Sequence, residues 1–388
     1  MRRVALAALL CALSIAIPAG GIAGPIENLQ PGQWYQVPNS HLATTLPNPV
    51  PPGGTGPSSI MIAWSGGTYD TRRDHLLVFG GGGGDYGGNE IYAFDINTLT
   101  WARIWGPSPI SDIQWADDPS NPNLSACLPY YRDGNPVSRH SYAAMQYLPG
   151  QDRFWLNGGA KFPCDKGTLD TWTFDLANLR WERKADFPAC SVCQSLEQIA
   201  VYDPVTGHVF LVASGYPLTE YDPAANTWTS RSSNGVSSYM NGALDTKRRK
   251  FVLTGGGHFY LFDLNTSGTI TRQAPVPGGD TGIMSAHYPG VVYDPVSDRI
   301  VAWSGGADVY TLDLDAMAWT RHATTGTVIP TAAPGQGTYG RFQYIPSKNA
   351  FVAVNSINED VYVYKLGPGG GTPSDSVPPS PPSSLRPR

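Results

Sequence analysis

One sentence of sequence is written six times along this chain, and that repetition constrains its fold more than any other feature. "AVYDPVTGHVFLVASGYPLTEYDPAANTW" (residues 200–228) aligns without a gap on "VVYDPVSDRIVAWSGGADVYTLDLDAMAW" (residues 291–319). Each copy has a Tyr or Leu before a turn: Tyr69, Tyr147, Tyr202, Leu244, Tyr293 and Tyr344. Six residues on stands His75, Arg153, His208, Lys250, Arg299 or Ala350, opening an apolar run such as "LLVF" or "VFLV". A small pair follows, as at Gly80-Gly81, Gly158-Gly159 and Gly255-Gly256. A Tyr-rich run then ends in Asp95, Asp175, Asp222, Asp263 or Asp313, with Lys365 in the sixth copy. Six residues beyond that acid comes Trp101, Trp181, Trp228 or Trp319; the fourth copy has "TI" (Thr269-Ile270) instead.

Short apolar runs punctuated by Asp-Pro and Gly turns predict strands. Each copy is therefore a short meander of strands a, b, c and d. The mixture of 44 Gly, 35 Pro and abundant aromatics suits many short strands joined by tight turns. One such sheet cannot bury both faces alone, and stacked copies can. The predicted fold is all-β: a six-bladed β-propeller over residues 33–366. The sixth copy lacks a d strand, which would leave a sheet edge unpaired. "GQWYQVP" near the start of the chain, with Trp34 in the Trp role, supplies it. Residues 33–38 are thus expected beside residues 361–366, closing the ring. The small pair, the Tyr-rich strand and the Trp six after the acid make this pattern resemble kelch repeats and the central domain of galactose oxidase.

The two ends read differently. Arg2 and Arg3, the apolar run Val4–Ile17 and the small residues of "PAGGIAG" form a signal-peptide pattern over residues 1–24. That run is too short to span a bilayer, which takes about 20 residues. Localisation is expected to be secreted or at the cell surface, with no membrane span. Residues 367–388, "GPGGGTPSDSVPPSPPSSLRPR", are Pro/Gly/Ser-rich, cannot build a core and read as a disordered tail or linker. Cys127, Cys164, Cys190 and Cys193 are an even set in an exported chain and read as two disulfides, Cys127 with Cys164 the leading pair. Charged residues are 15 % and the net charge is −5, with no basic stripe, which argues against a nucleic-acid partner.

Meander topology puts the short a–b and c–d turns on one face and the long b–c and d–a loops on the other. Irregular loops on a rigid scaffold are where binding usually resides. At the start of strand a, five residues before the turn, stand Trp64, Tyr142, Glu197, Tyr239, Tyr288 and Tyr339. This collar of five aromatics and one carboxylate marks a candidate channel mouth, with Arg139, His140, His287 and Arg341 at the same level. Such a mouth suits stacking of sugar rings or holding a cation; the competing reading is that the rings fill the wedge between blades.

Three functions remain open on this reading: a binding module for a glycan or extracellular protein, a structural scaffold, and an enzyme. The resemblance to galactose oxidase implies copper held by two tyrosines and two histidines, one tyrosine cross-linked to a cysteine. Here the only adjacent pair at the right level is His287-Tyr288, in reversed order. The cysteines read as paired with one another. No cofactor or metal is therefore assigned. The expectation is a monomeric binding protein rather than an enzyme. "GGGGG" (Gly80–Gly84) lacks the lysine and helix of a phosphate cradle and reads as a b–c loop. His258 in "GGGHF" has no spaced partner. "ADDPSNPN" (residues 116–123) lacks the spacing of a calcium loop.

Overall fold

The computed structural model describes residues 24–117, 127–188 and 196–366. The signal-peptide pattern, the tail, and Cys190 and Cys193 lie outside these residues, as does most of "ADDPSNPN". The chain is all-β, built of small antiparallel sheets, as the repeat predicts. Each of the six sequence copies forms one sheet, in strand order a-b-c-d. Strands a to d run Thr68–Asp70, His75–Phe79, Ile91–Asp95 and Thr100–Trp105 in the first meander. In the third they run Ile199–Asp203, His208–Ala213, Tyr216–Asp222 and Thr227–Ser230. The a–b turns are pinned by the aspartate that ends strand a: Asp203 accepts from the Val205 amide at 3.1 Å, and Asp294 from the Val296 amide at 2.9 Å.

The fifth sheet gains a short parallel strand, Gly278–Gly279, beside Ala318–His322, and the fourth and sixth copies depart where the sequence does. The fourth sheet has three strands, Asn241–Asp245, Lys250–Gly255 and His258–Asp263. Ile270 takes the apolar slot left by the missing Trp and is 1 % exposed in the core beside Phe262. The sixth sheet is completed from the other end of the chain. Gln33–Gln36 pairs antiparallel with Tyr362–Lys365, Trp34 opposite Tyr364. Residues 37 and 38 carry this no further as a strand, although the Val37 amide still donates to Val361 O at 2.8 Å.

Packing between sheets is cyclic. Strand a of each meander touches strand a of the next, and strand a of the sixth (Phe342–Ile345) touches strand a of the first. The apolar cores follow the same order. Leu77, Phe79 and Ile91 of the first meander pack with Phe154, Leu156 and Phe174 of the second. Val78 and Phe94 of the first pack with Val352 and Val363 of the sixth. Burying both faces of each sheet in this way supplies the apolar driving force that no single meander possesses.

The long d–a loop before the second meander is not wholly irregular. It contains a helix, Ile110–Asp117. It is held to the b–c loop of the second meander by the Cys127–Cys164 disulfide. A small extra sheet of Arg139–His140, Ala160–Lys161 and Lys166–Gly167 sits beside that bridge. No helix among the described residues is long and apolar enough to cross a membrane.

Candidate functional site

The six collar positions share one backbone conformation. Trp64, Tyr142, Glu197, Tyr239, Tyr288 and Tyr339 all have left-handed φ, between 48° and 68°. Residues with a Cβ seldom adopt it, and it costs of order 1 kcal/mol each. The packing explains why it is kept. Left-handed turns let the entering chain fold onto its neighbour: the Tyr142 amide donates to Trp64 O (2.8 Å), Tyr288 to Tyr239 O (2.9 Å) and Tyr339 to Tyr288 O (3.1 Å). Gly66 is needed beside this ladder, because a Cβ there would lie 2.0 Å from the Tyr142 carbonyl oxygen.

The side chains form a continuous series of rings. Trp64 lies 5.2 Å from His140, which lies 6.4 Å from Tyr142. Tyr142 lies 6.0 Å from Tyr339, and Tyr339 stacks on Tyr288 at 4.8 Å. Tyr288 lies 5.4 Å from Tyr239, which stacks on His287 at 4.3 Å and 19°. Exposure divides this series in two. Tyr142, Tyr288 and Tyr339 are buried, joining the core shared by the third and fourth meanders. Tyr239 is 46 % exposed and His287 is exposed too. Trp64 and Glu197 are half-buried.

Glu197 is the carboxylate among these buried rings. The Tyr288 hydroxyl donates to Glu197 Oε1, while Glu197 Oε2 and the Tyr339 hydroxyl are buried without a partner among the described residues. Burial raises the hydroxyl pKa values of Tyr142, Tyr288 and Tyr339, and the Glu197 charge adds to each. These tyrosines stay protonated.

The two arginines of the collar level are structural. Arg139 is fully buried and ion-paired with Asp170 at 2.9 Å, and donates to the Val137, Gly158 and Pro129 carbonyls. Arg341 is also fully buried and has no carboxylate partner among the described residues. It donates to Ser65 O (2.8 Å), Val354 O (2.6 Å) and Gly337 O, tying the sixth meander to the first. Burial pulls its pKa down to about 9, against which the neighbouring Tyr339 acts. His140 has its Nε2 at 2.9 Å from Asp85, a partner that the sequence did not indicate. Burial lowers the His140 pKa and the Asp85 contact opposes this.

These residues do not fit the copper set that the galactose-oxidase resemblance implies. Cys127 and Cys164 are bonded to each other, and neither is free to cross-link a tyrosine. The Nε2 of His140 is engaged by Asp85, and the hydroxyl of Tyr288 by Glu197. No three His, Cys, Asp or Glu side chains gather as a metal site among the described residues.

A second concavity lies at the opposite end of the a strands. It is a cavity of about 450 Å³ lined by the turn ends of all six, including Tyr69, Tyr147, Tyr202, Leu244, Tyr293 and Tyr344. Sequence reasoning placed the candidate site on the loop-rich face and did not anticipate this cavity. The signal was present in the repeated turn aromatic itself.

Comparison with known proteins adds little. No family model and no curated protein matches the chain. Among solved structures, one match is a fungal alcohol oxidase of the AA5 family in complex with copper. It is 11 % identical, with a TM-score of 0.45, over 81 % of this chain and 76 % of that one.

Proposed function

We propose that this protein is an exported six-bladed, kelch-like propeller that binds an extracellular glycan on its loop-rich face. The cyclic contacts of the a strands and the pairing of Gln33–Gln36 with Tyr362–Lys365 support the propeller reading. The disulfide accords with an oxidising compartment. The observation that carries the binding reading is the exposed Tyr239 ring stacked on exposed His287. An exposed aromatic pair leaves apolar area in water unless something covers it, and a pyranose face with its row of C–H groups is a good cover. Tyr288 backs the pair from below, so little side-chain entropy remains to be lost on binding. Glu197 in turn accepts from the Tyr288 hydroxyl and fixes that supporting ring.

The test is a glycan array followed by titration calorimetry on the purified protein. Binding of a defined glycan class, weakened at least tenfold by Tyr239→Ala and by His287→Ala, is the expected result. A wild-type protein that retains no glycan, or variants that bind as tightly as wild type, would overturn the reading.

A further inference from the structure

The cavity on the short-turn face is unlike the collar. No charged side chain lines it. Five tyrosines surround it: Tyr69, Tyr147, Tyr202, Tyr293 and Tyr344. On the short turns about it, Val205 and Val296 are 65 % and 66 % exposed. Its volume, about 450 Å³, falls within the range of small-ligand pockets. A tyrosine-lined hollow with no charge in its lining, set among turns that carry exposed valines as well as the Arg73–Asp152 and Arg248–Asp298 ion pairs, is a surface on which proline-rich segments dock, because a polyproline II helix arrives already ordered and presents its rings to aromatic faces.

The described chain leads to this hollow. Strand c of the sixth meander, Tyr362–Lys365, runs toward the short-turn face. Its last residue, Lys365, donates from Nζ to the Lys348 carbonyl at 2.6 Å. Lys348 is in the a–b turn that begins at Pro346, and Pro346 lines the cavity. After Leu366 the sequence reads "GPGGGTPSDS" and then "VPPSPPSSL", Val377–Leu385, which carries no charge. Ten residues separate Leu366 from Val377, a flexible span of roughly 17 Å root-mean-square and about twice that extended. Two strand spacings of about 5 Å, plus the distance from strand a to the axis, fall within that reach.

We propose that Val377–Leu385 docks in cis in this cavity as a polyproline II segment, with Pro378–Pro382 against the tyrosine ring. Tethering makes a weak contact sufficient. A short flexible linker gives an effective concentration of about 1 mM, so a free-segment dissociation constant near 0.1 mM leaves the cavity roughly nine-tenths filled.

The test uses the full chain with Pro378, Pro379, Pro381 and Pro382 all changed to Ser, and a labelled synthetic peptide of residues 375–388. The peptide should bind this variant with a sub-millimolar constant and bind the wild type at least tenfold more weakly, because the tethered copy competes. Adding Thr246→Arg, or separately Thr71→Arg, at the cavity lining should abolish peptide binding while leaving the thermal midpoint in place. Equal affinity for wild type and variant, or no affinity for the variant, would overturn the proposal. So would a wild type whose weak peptide binding comes with concentration-dependent dimers in sedimentation, since the segment would then fill the cavity of a second copy.

Discussion

The indole nitrogen of Trp34 donates to the Ala307 carbonyl oxygen at 3.0 Å, across 273 positions of sequence. The same reach recurs around the molecule: Trp101 donates to Ser40 O and Trp228 to Ala185 O, each at 2.9 Å. In all three the strand d tryptophan clasps the sheet before its own, and for Trp101 that is the sheet completed by the N-terminal strand. Trp34 is 3 % exposed and packs on Trp303 and Tyr364. Trp34→Ala should therefore cost about 3–5 kcal/mol, the range for emptying a large aromatic site. Trp34→Phe, which keeps most of the packing and loses the donor, should cost about 1–2 kcal/mol. Urea denaturation of the two variants measures both. A loss under 1 kcal/mol for Trp34→Ala would mean that the N-terminal strand is not integral to the fold.

That clasp was legible because its signal is local and periodic. The Trp recurs at the same offset, although the indole nitrogens of Trp181 and Trp319 are buried without a hydrogen-bond partner among the described residues, and its absence at Thr269-Ile270 falls in the sheet that lacks strand d. The collar was legible only as a set of positions. Nothing in the spacing distinguishes Tyr239, which is exposed, from Tyr339, which is buried; that depends on which long loop covers which ring. The roles of Arg139 and Arg341 were equally hidden, because their partners are backbone carbonyls, with Asp170 besides for Arg139, and carbonyls leave no trace in residue type. The short-turn cavity was missed because short turns suggest a closed face, whereas its opening comes from six a strands splayed about an axis.

Ion pairs on the short-turn face should make stability fall in acid. Arg73 makes a two-pronged contact with Asp152 of the next meander, both bonds 2.7 Å, and also holds Asp70 at 2.8 Å. Arg248 bridges Asp245 of its own turn to Asp298 of the following meander, at 2.8 and 2.7 Å. The Arg73 hydrogen bond lowers the Asp152 pKa, and the Arg248 hydrogen bond lowers that of Asp298. A carboxylate whose folded pKa is depressed contributes stability above its unfolded pKa and loses it as pH falls through the folded value. The contribution should be intact above about pH 5 and decline progressively below pH 4. Arg73→Ala leaves the fully buried Asp70 without its cation and should cost about 3 kcal/mol at pH 7. The penalty should shrink at pH 3. Denaturation of wild type and variant at both pH values checks the sign; an equal penalty at both would show that the pair contributes through packing alone.

Glu90 should produce the opposite trend. It is 1 % exposed, accepts from the Tyr86 hydroxyl at 2.8 Å, and its Oε2 has no partner among the described residues. Burial pushes its pKa up to about 7 from 4.5. An acid whose folded pKa is raised favours folding fully below its unfolded pKa, and that advantage disappears as pH rises through the folded value. The shift corresponds to about 3 kcal/mol, lost between roughly pH 4.5 and pH 8. Glu90→Gln keeps the acceptor for Tyr86 and cannot ionise. It should match wild type near pH 5 and exceed it at pH 8.5. If the two stabilities run parallel across that interval, Glu90 ionises without penalty and the loop around Tyr86 is wetter than its burial indicates.

Left-handed backbone at an exposed collar residue separates binding from folding. At Tyr288 and Tyr339 the strain of positive φ is offset by buried rings, so removing either side chain empties part of a core. At Tyr239, with φ of 68°, the ring is 46 % exposed and rests on His287. Glycine adopts this conformation without a Cβ penalty, so Tyr239→Gly should relieve about 1 kcal/mol of strain. That gain roughly balances the partial apolar burial that disappears with the ring, and the stability change should lie within about 1 kcal/mol of zero. Tyr288→Gly should cost more than 3 kcal/mol, since relief of the same strain cannot compensate for a buried aromatic. Thermal denaturation of the two variants gives this contrast directly. If Tyr239→Gly proves as damaging as Tyr288→Gly, Tyr239 is held in place for packing, and its exposure toward the loop-rich face has no bearing on ligand binding. If the variant is as stable as wild type, ring burial only offsets the strain, and removing the ring tests ligand binding without disturbing the fold.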